Sequence, residues 1–104
     1  MNKLQKIAIF EGKNIRRHWD AEKELWYFAV SDVIGVLTNS VDPVAYWRKL
    51  KERLLKEGGN ETVTKCHGLK MLAPDGKMRL TDVADTETML RLIQSIPSLE
   101  LKTS

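Results

Sequence analysis

Arg48, Lys49, Arg53 and Lys56 share one short run, Asp42-Pro43-Val44-Ala45-Tyr46-Trp47-Arg48-Lys49-Leu50-Lys51-Glu52-Arg53-Leu54-Leu55-Lys56-Glu57. At about 100° per residue the run reads as a helix with Trp47, Leu50 and Leu54 on one stripe, flanked by Tyr46, Val44 and Leu55. The four cations fall on the other side, interrupted mainly by Glu52. A fixed row of positive charge is what a phosphate backbone requires, because each neutralised phosphate releases condensed counterions. Arg16 and Arg17 form a second basic group, and Lys65, Lys70, Lys77 and Arg79 gather around a later turn. The competing outcome is a solvated helix face on which neighbours such as Arg53 and Glu57 neutralise one another.

Other chemistries find less support. Cys66 and His67 are adjacent, so in a strand their side chains point to opposite faces, and His18 is far away in sequence. No four-ligand zinc spacing exists, and nothing supplies the base and orienting group that a nucleophilic Cys66 would need. Gly58-Gly59 lacks the lysine and helix pattern of a phosphate-binding loop. Asp82, Asp85 and Glu87 sit where a helix N-terminus favours negative charge. Ser31-Asp32 reads as a helix start. The expectation is a non-enzymatic protein with no metal and no cofactor. Trp19, Trp26, Tyr27 and Trp47 lie in apolar stripes, which favours core packing over stacking on unpaired bases.

The elements that would carry these groups fit one domain. The chain has 104 residues, a net charge of +3 and a single cysteine. That length supports one modest core, and one cysteine excludes an intrachain disulfide and suits a reducing compartment. No apolar run approaches the roughly 18 residues of a membrane span, so a cytoplasmic location is expected.

Ile7–Phe10, Ile15–Trp19 and Leu25–Val30 read as three strands of an antiparallel meander. Ser31 would cap a helix over Asp32–Leu37. Asp42 caps the basic helix, Pro43 suits its first position, and Gly58-Gly59 stops it. Strands are expected over Thr62–Lys65 and Leu69–Ala73, with Pro74-Asp75-Gly76 returning the chain through Lys77–Leu80 as a hairpin. Asp85 or Thr86 starts a last helix that Pro97 ends. The sum is an α+β fold: a small antiparallel sheet, meander plus later hairpin, packed with about three helices.

With these segments in view, the sequence resembles the N-terminal domain of the BRO family, found in phage and prophage antirepressors and in DNA-damage-inducible protein D. The matching stretches are Ile9-Phe10-Glu11-Gly12-Lys13-Asn14-Ile15-Arg16-Arg17, Trp26-Tyr27-Phe28-Ala29-Val30-Ser31-Asp32-Val33-Ile34 and Tyr46-Trp47-Arg48-Lys49-Leu50-Lys51. Asp75-Gly76-Lys77, Thr81-Asp82-Val83-Ala84-Asp85-Thr86-Glu87 and Leu92-Ile93-Gln94-Ser95-Ile96-Pro97-Ser98 follow in the same order. The resemblance spans nearly the whole chain, and no single short motif carries it. It implies a DNA-binding α+β domain over residues 1–104, without catalytic residues or cofactor. Relatives continue past Ile-Pro-Ser into a further segment, so the chain is expected to lack the usual C-terminal partner region.

The resulting expectation is a DNA-binding module of a prophage antirepressor-like protein, acting in transcription regulation. Arg48, Lys49, Arg53 and Lys56 would contact phosphates, with Arg16, Arg17, Lys77 and Arg79 as secondary contacts. Duplex DNA is favoured over single strands, no membrane is involved, and the sequence leaves a homodimer open. The alternative is a protein-interaction module that sequesters a repressor or other regulator, suggested by the acidic start of the last helix, Asp82 to Glu87, and by the split between acidic and basic segments.

Overall fold

The computed structural model describes residues 15–96. Among them are the strands β1 (Arg17–Asp20), β2 (Leu25–Ala29), β3 (His67–Leu72) and β4 (Met78–Asp85). The helices are α1 (Val30–Thr38), α2 (Pro43–Lys56), α3 (Asn60–Thr64) and α4 (Thr86–Gln94). The strands form one antiparallel sheet in the order β1-β2-β4-β3, so the chain adopts the expected α+β class. The Ile7–Phe10 strand and the stop at Pro97 lie outside the described residues.

Two hairpins project from opposite ends of the sheet, as the register dictates. β1 pairs with β2 from Arg17↔Phe28 to Asp20↔Leu25, but β2 pairs with β4 only from Tyr27↔Asp85 to Ala29↔Val83. Asp20 closes the first turn by accepting the Glu22 and Lys23 N–H groups at 3.0 and 3.1 Å, the usual service of aspartate in turns. β3 pairs with β4 from His67↔Val83 to Leu72↔Met78, so Met78–Asp82 of β4 run beyond the end of β2. In the second turn Gly76 has φ +84°, a left-handed conformation that glycine adopts without steric cost.

The helices begin and end where their flanking residues allow. The Asp42 carboxylate accepts the Ala45 N–H at 3.1 Å and Pro43 occupies the first position of α2. At the other end Gly58 takes φ +88° and the Gly59 N–H reaches the Leu54 carbonyl at 2.6 Å, the long bond of a Schellman cap. α4 is capped by Asp85, whose Oδ1 accepts the Thr88 N–H at 2.8 Å. Replacing Asp85 with alanine is expected to cost about 1 kcal/mol, read as a lowered urea midpoint at unchanged m-value.

Three sequence expectations need correction. Ser31 does not cap α1: the helix starts at Val30, directly from the strand, with Ala29 in the cap position and no side-chain cap. Thr62–Lys65 is no strand, since Asn60–Thr64 forms α3 and β3 starts only at His67. The local β-preference of Thr62 and Val63 loses to tertiary packing, because Val63 packs against the main core while its N–H bonds to the Gly59 carbonyl at 3.2 Å. β4 also continues well past Leu80, and its later half supplies the central rungs of the sheet.

The centre of the sheet is buried on both faces. Phe28 and Ala84, opposite one another, meet Val30, Val33, Ile34, Trp47, Leu50, Leu54, Leu92 and Ile96 from the helices. Each such fully buried aliphatic side chain contributes roughly 1.5–3 kcal/mol. Tyr27, Ala29, Val83 and Met71 make a smaller cluster on the other face. The sheet curls around that second cluster far enough for Arg16, just before β1, to donate from Nη1 to the Leu72 carbonyl of the opposite edge at 3.1 Å.

Candidate nucleic-acid interface

A polar junction with β4 holds the basic helix. Asp82 on β4 accepts the Trp47 indole N–H at 2.7 Å and the Lys51 ammonium at 3.1 Å, and Lys51 also sits 5.6 Å from the centre of the Trp47 ring. Trp47 is buried, together with Leu50 and Leu54 of the same stripe. The tryptophan thereby sets the rotation of α2, and the rotation decides which cations face water. Arg48, Lys49 and Lys56 are exposed and have no acidic side chain within ion-pair distance among the described residues.

The other candidates are engaged differently. Arg53 turns to the opposite flank, donating from Nη2 to the Ser95 carbonyl at 2.5 Å, with Glu57 Oε2 at 3.9 Å from its Nε. Arg16 grips Asp32 through three hydrogen bonds, Nε–Oδ2 at 2.7 Å, Nη2–Oδ1 at 2.9 Å and its backbone N–H to Oδ2 at 3.0 Å. The bond to Asp32 raises the Arg16 pKa further, against the opposing effect of burial. That arginine ties the start of β1 to α1, and its charge is compensated internally. Arg17 lies 5.5 Å from the centre of the Trp26 ring and also lines a small cavity with Lys70 and Leu72 of β3.

In the second hairpin Lys77 is exposed, whereas Arg79 is held by Asp75, with its Nε 3.0 Å from Oδ2 and its Nη2 closer still. Arg79 first and then the Lys77 N–H hold the Asp75 carboxyl below the usual carboxylate range. α2 and the β3–β4 hairpin border one cleft. That cleft, about 570 Å³, is lined among others by Val44 and Trp47 from the helix and by Pro74, Leu80 and Asp82 from the hairpin and β4.

The aromatic residues divide. Tyr27 and Trp47 are core, as expected, but Trp19 and Trp26 are 45% and 43% exposed, their ring centres 5.3 Å apart. Both lie on the part of the first hairpin that β4 does not reach. Sequence reasoning also missed the apolar face of the second hairpin, where Leu72, Met78 and Leu80 are exposed. A signal for it exists: Leu69, Met71 and Leu72 place apolar groups on both faces of one strand, and only Leu69 and Met71 find the small core.

Cys66 and His67 point apart. His67 packs edge-on against Tyr27 at 4.7 Å, while Cys66 packs against the main core and donates weakly to the Thr62 carbonyl at 3.6 Å. Burial, with a smaller effect of Asp82, pushes the Cys66 thiol up to about 11, which keeps it protonated and unreactive near neutrality. Iodoacetamide labelling of the folded protein at pH 8 should run on the order of a hundredfold slower than labelling in urea, because little thiolate is present in the folded state. Equal rates would show that the thiol is open to water.

No group of three or more potential metal-ligating His, Cys, Asp or Glu side chains exists among the described residues, and no described helix is long and apolar enough to cross a membrane. No protein-family model, curated protein or solved structure matches the chain. The likeness to the BRO N-terminal domain thus rests on the residue stretches quoted above.

Proposed function

We propose that this chain is a non-enzymatic DNA-binding module that holds the phosphate backbone of duplex DNA through the exposed face of α2. One observation carries the reading. Arg48, Lys49 and Lys56 project from a helix whose rotation is fixed by Trp47 and Asp82, and none has an acidic partner among the described residues. Charges that are preorganised and uncompensated lose little when a phosphate arrives, whereas Arg16 and Arg79 would first have to leave Asp32 and Asp75. Lys77 and Lys70 on the second hairpin add further exposed cations; Arg53, tied to the Ser95 carbonyl, and Arg17, beside the Trp26 ring, contribute less. Such contacts position a protein on DNA without reading its sequence. The resemblance to the BRO N-terminal domain supports the same reading and suggests a prophage antirepressor-like role in transcription regulation, in the cytoplasm.

A protein-interaction role that sequesters a repressor is the second reading. Its sequence basis, the acid-rich start of α4, is weakened because Asp82 holds Trp47 and Lys51, Asp85 caps the helix and Glu87 pairs with Arg91 at 3.1 Å. What favours it instead is the exposed apolar face of the second hairpin. Mobility-shift titrations at low salt, with duplex and single-stranded DNA of one sequence, separate the two. Retention of duplex regardless of sequence supports the DNA reading. Failure to retain any duplex, with capture of a repressor, supports the other.

A further inference from the structure

We propose that the exposed apolar face of the β3–β4 hairpin is a wedge that enters duplex DNA and opens a base-pair step, so that binding kinks the DNA. The inference rests on the DNA-binding reading above and adds the mode of engagement.

Leu72, Met78 and Leu80 are 60%, 59% and 74% exposed. Leu72 lies directly opposite Met78, and Lys70 directly opposite Leu80. Cross-strand partners and every second residue share a face, so these four side chains belong to one surface. It is the face on which Asp82 receives Trp47 and Lys51. Two residues from Asp82 along that face, Leu80 comes to the cleft that Val44 also lines. Arg48, one helical turn after Val44, is on the same flank of α2. The apolar row carries the exposed Lys70 within it, opposite Leu80, with the exposed Lys77 at the turn.

The acids nearby are already neutralised, Asp75 by Arg79 and Asp82 by Lys51. Contiguous exposed apolar groups mark an interaction surface. Protein-binding patches are depleted of lysine at their centre, whereas here Lys70 lies within the apolar row and Lys77 at its tip, neither with an acidic partner among the described residues, which is the complement of a polyanion with stacked bases inside.

The hairpin also has the shape for insertion. Met78–Leu80 are paired only with β3, because β2 ends opposite Val83, and a two-stranded ribbon fits a DNA groove. Leu80 is seated in advance: a Cβ on Gly68 would stand 2.9 Å from Leu80 Cδ1, so the absence of a side chain there makes the notch across which Leu80 lies. Apolar side chains inserted between base steps unstack them and kink the duplex by roughly 20–90°.

The test uses the full chain and an end-labelled duplex of about 25 base pairs containing TA steps, which unstack most readily, with 2-aminopurine replacing adenine. End-to-end energy transfer should report a kink in that range and 2-aminopurine fluorescence should rise on binding. The triple variant Leu72→Ala, Met78→Ala, Leu80→Ala should bind with an unchanged salt slope yet leave the duplex straight and the probe quenched. Met78→Gln alone, with a full complement of side chains around it, should reduce both signals. Wild-type binding to straight DNA, or a kink that survives the triple variant, would overturn the wedge while leaving the DNA-binding reading intact. So would sedimentation showing self-association of the wild type that the triple variant loses, which would assign the face to a second copy of the chain. Absence of any duplex binding at low salt would overturn both.

Discussion

Replacing Trp47 with alanine is expected to destabilise the fold by about 3–5 kcal/mol, the range for removing a large aromatic from a well-packed core. The side chain is buried against the main cluster, and its N–H satisfies one oxygen of Asp82 at 2.7 Å. A small domain has only about 5–15 kcal/mol in total, so much of the chain should be unfolded at modest urea. Trp47→Phe is the milder variant. It keeps a smaller aromatic ring and deletes the donor, and a cost of about 1–3 kcal/mol follows, from the lost bond and the small cavity together, since Lys51 still partners Asp82. Circular dichroism in urea reads both variants without depending on tryptophan fluorescence. A cost below about 1 kcal/mol for the alanine variant would show that α2 is not anchored by this residue.

The second large effect is on affinity. Reversing Arg48 and Lys49 together to glutamate should weaken duplex binding about a hundredfold at roughly 0.1 M salt, because each lost phosphate contact removes about 0.9 of a log unit there. The repulsion from the new carboxylates adds to this, and the weakening should be alike on unrelated sequences. Both side chains are exposed, so the melting curve should not move. Arg79→Gln is the informative contrast. Its charge is already compensated by Asp75, and affinity should change far less. If Arg79→Gln weakened binding as strongly as the double reversal, the binding surface would lie on the hairpin instead of the helix.

These contrasts also show how far the sequence could be read. The helix from Pro43 and its Asp42 cap were legible because cap, stripe and glycine stop agree locally, and each depends on neighbours within a few residues. The turn at Asp75-Gly76 was legible for the same reason. Thr62–Lys65 was misread because the choice between helix and strand there is made by packing of Val63 on the core, which no local preference reports. The candidate site was half legible. That α2 is amphipathic and basic follows from spacing alone, but whether a given arginine is available depends on partners distant in sequence: Asp32 for Arg16, 16 residues on, and the Ser95 carbonyl for Arg53, 42 residues on. The exposure of Trp19, Trp26 and the Leu72–Met78–Leu80 face depends on where β2 stops pairing with β4, a property of sheet register that composition does not reveal.

The most direct test is the salt dependence of duplex binding by the unaltered chain. Engagement of three or four phosphates by Arg48, Lys49, Lys56 and the hairpin lysines should give a plot of log K against log salt with a slope on the order of −3 to −4. The double reversal of Arg48 and Lys49 should make that slope shallower by about 2. A slope near zero, or no detectable duplex binding at low salt, would contradict a phosphate-holding role for α2.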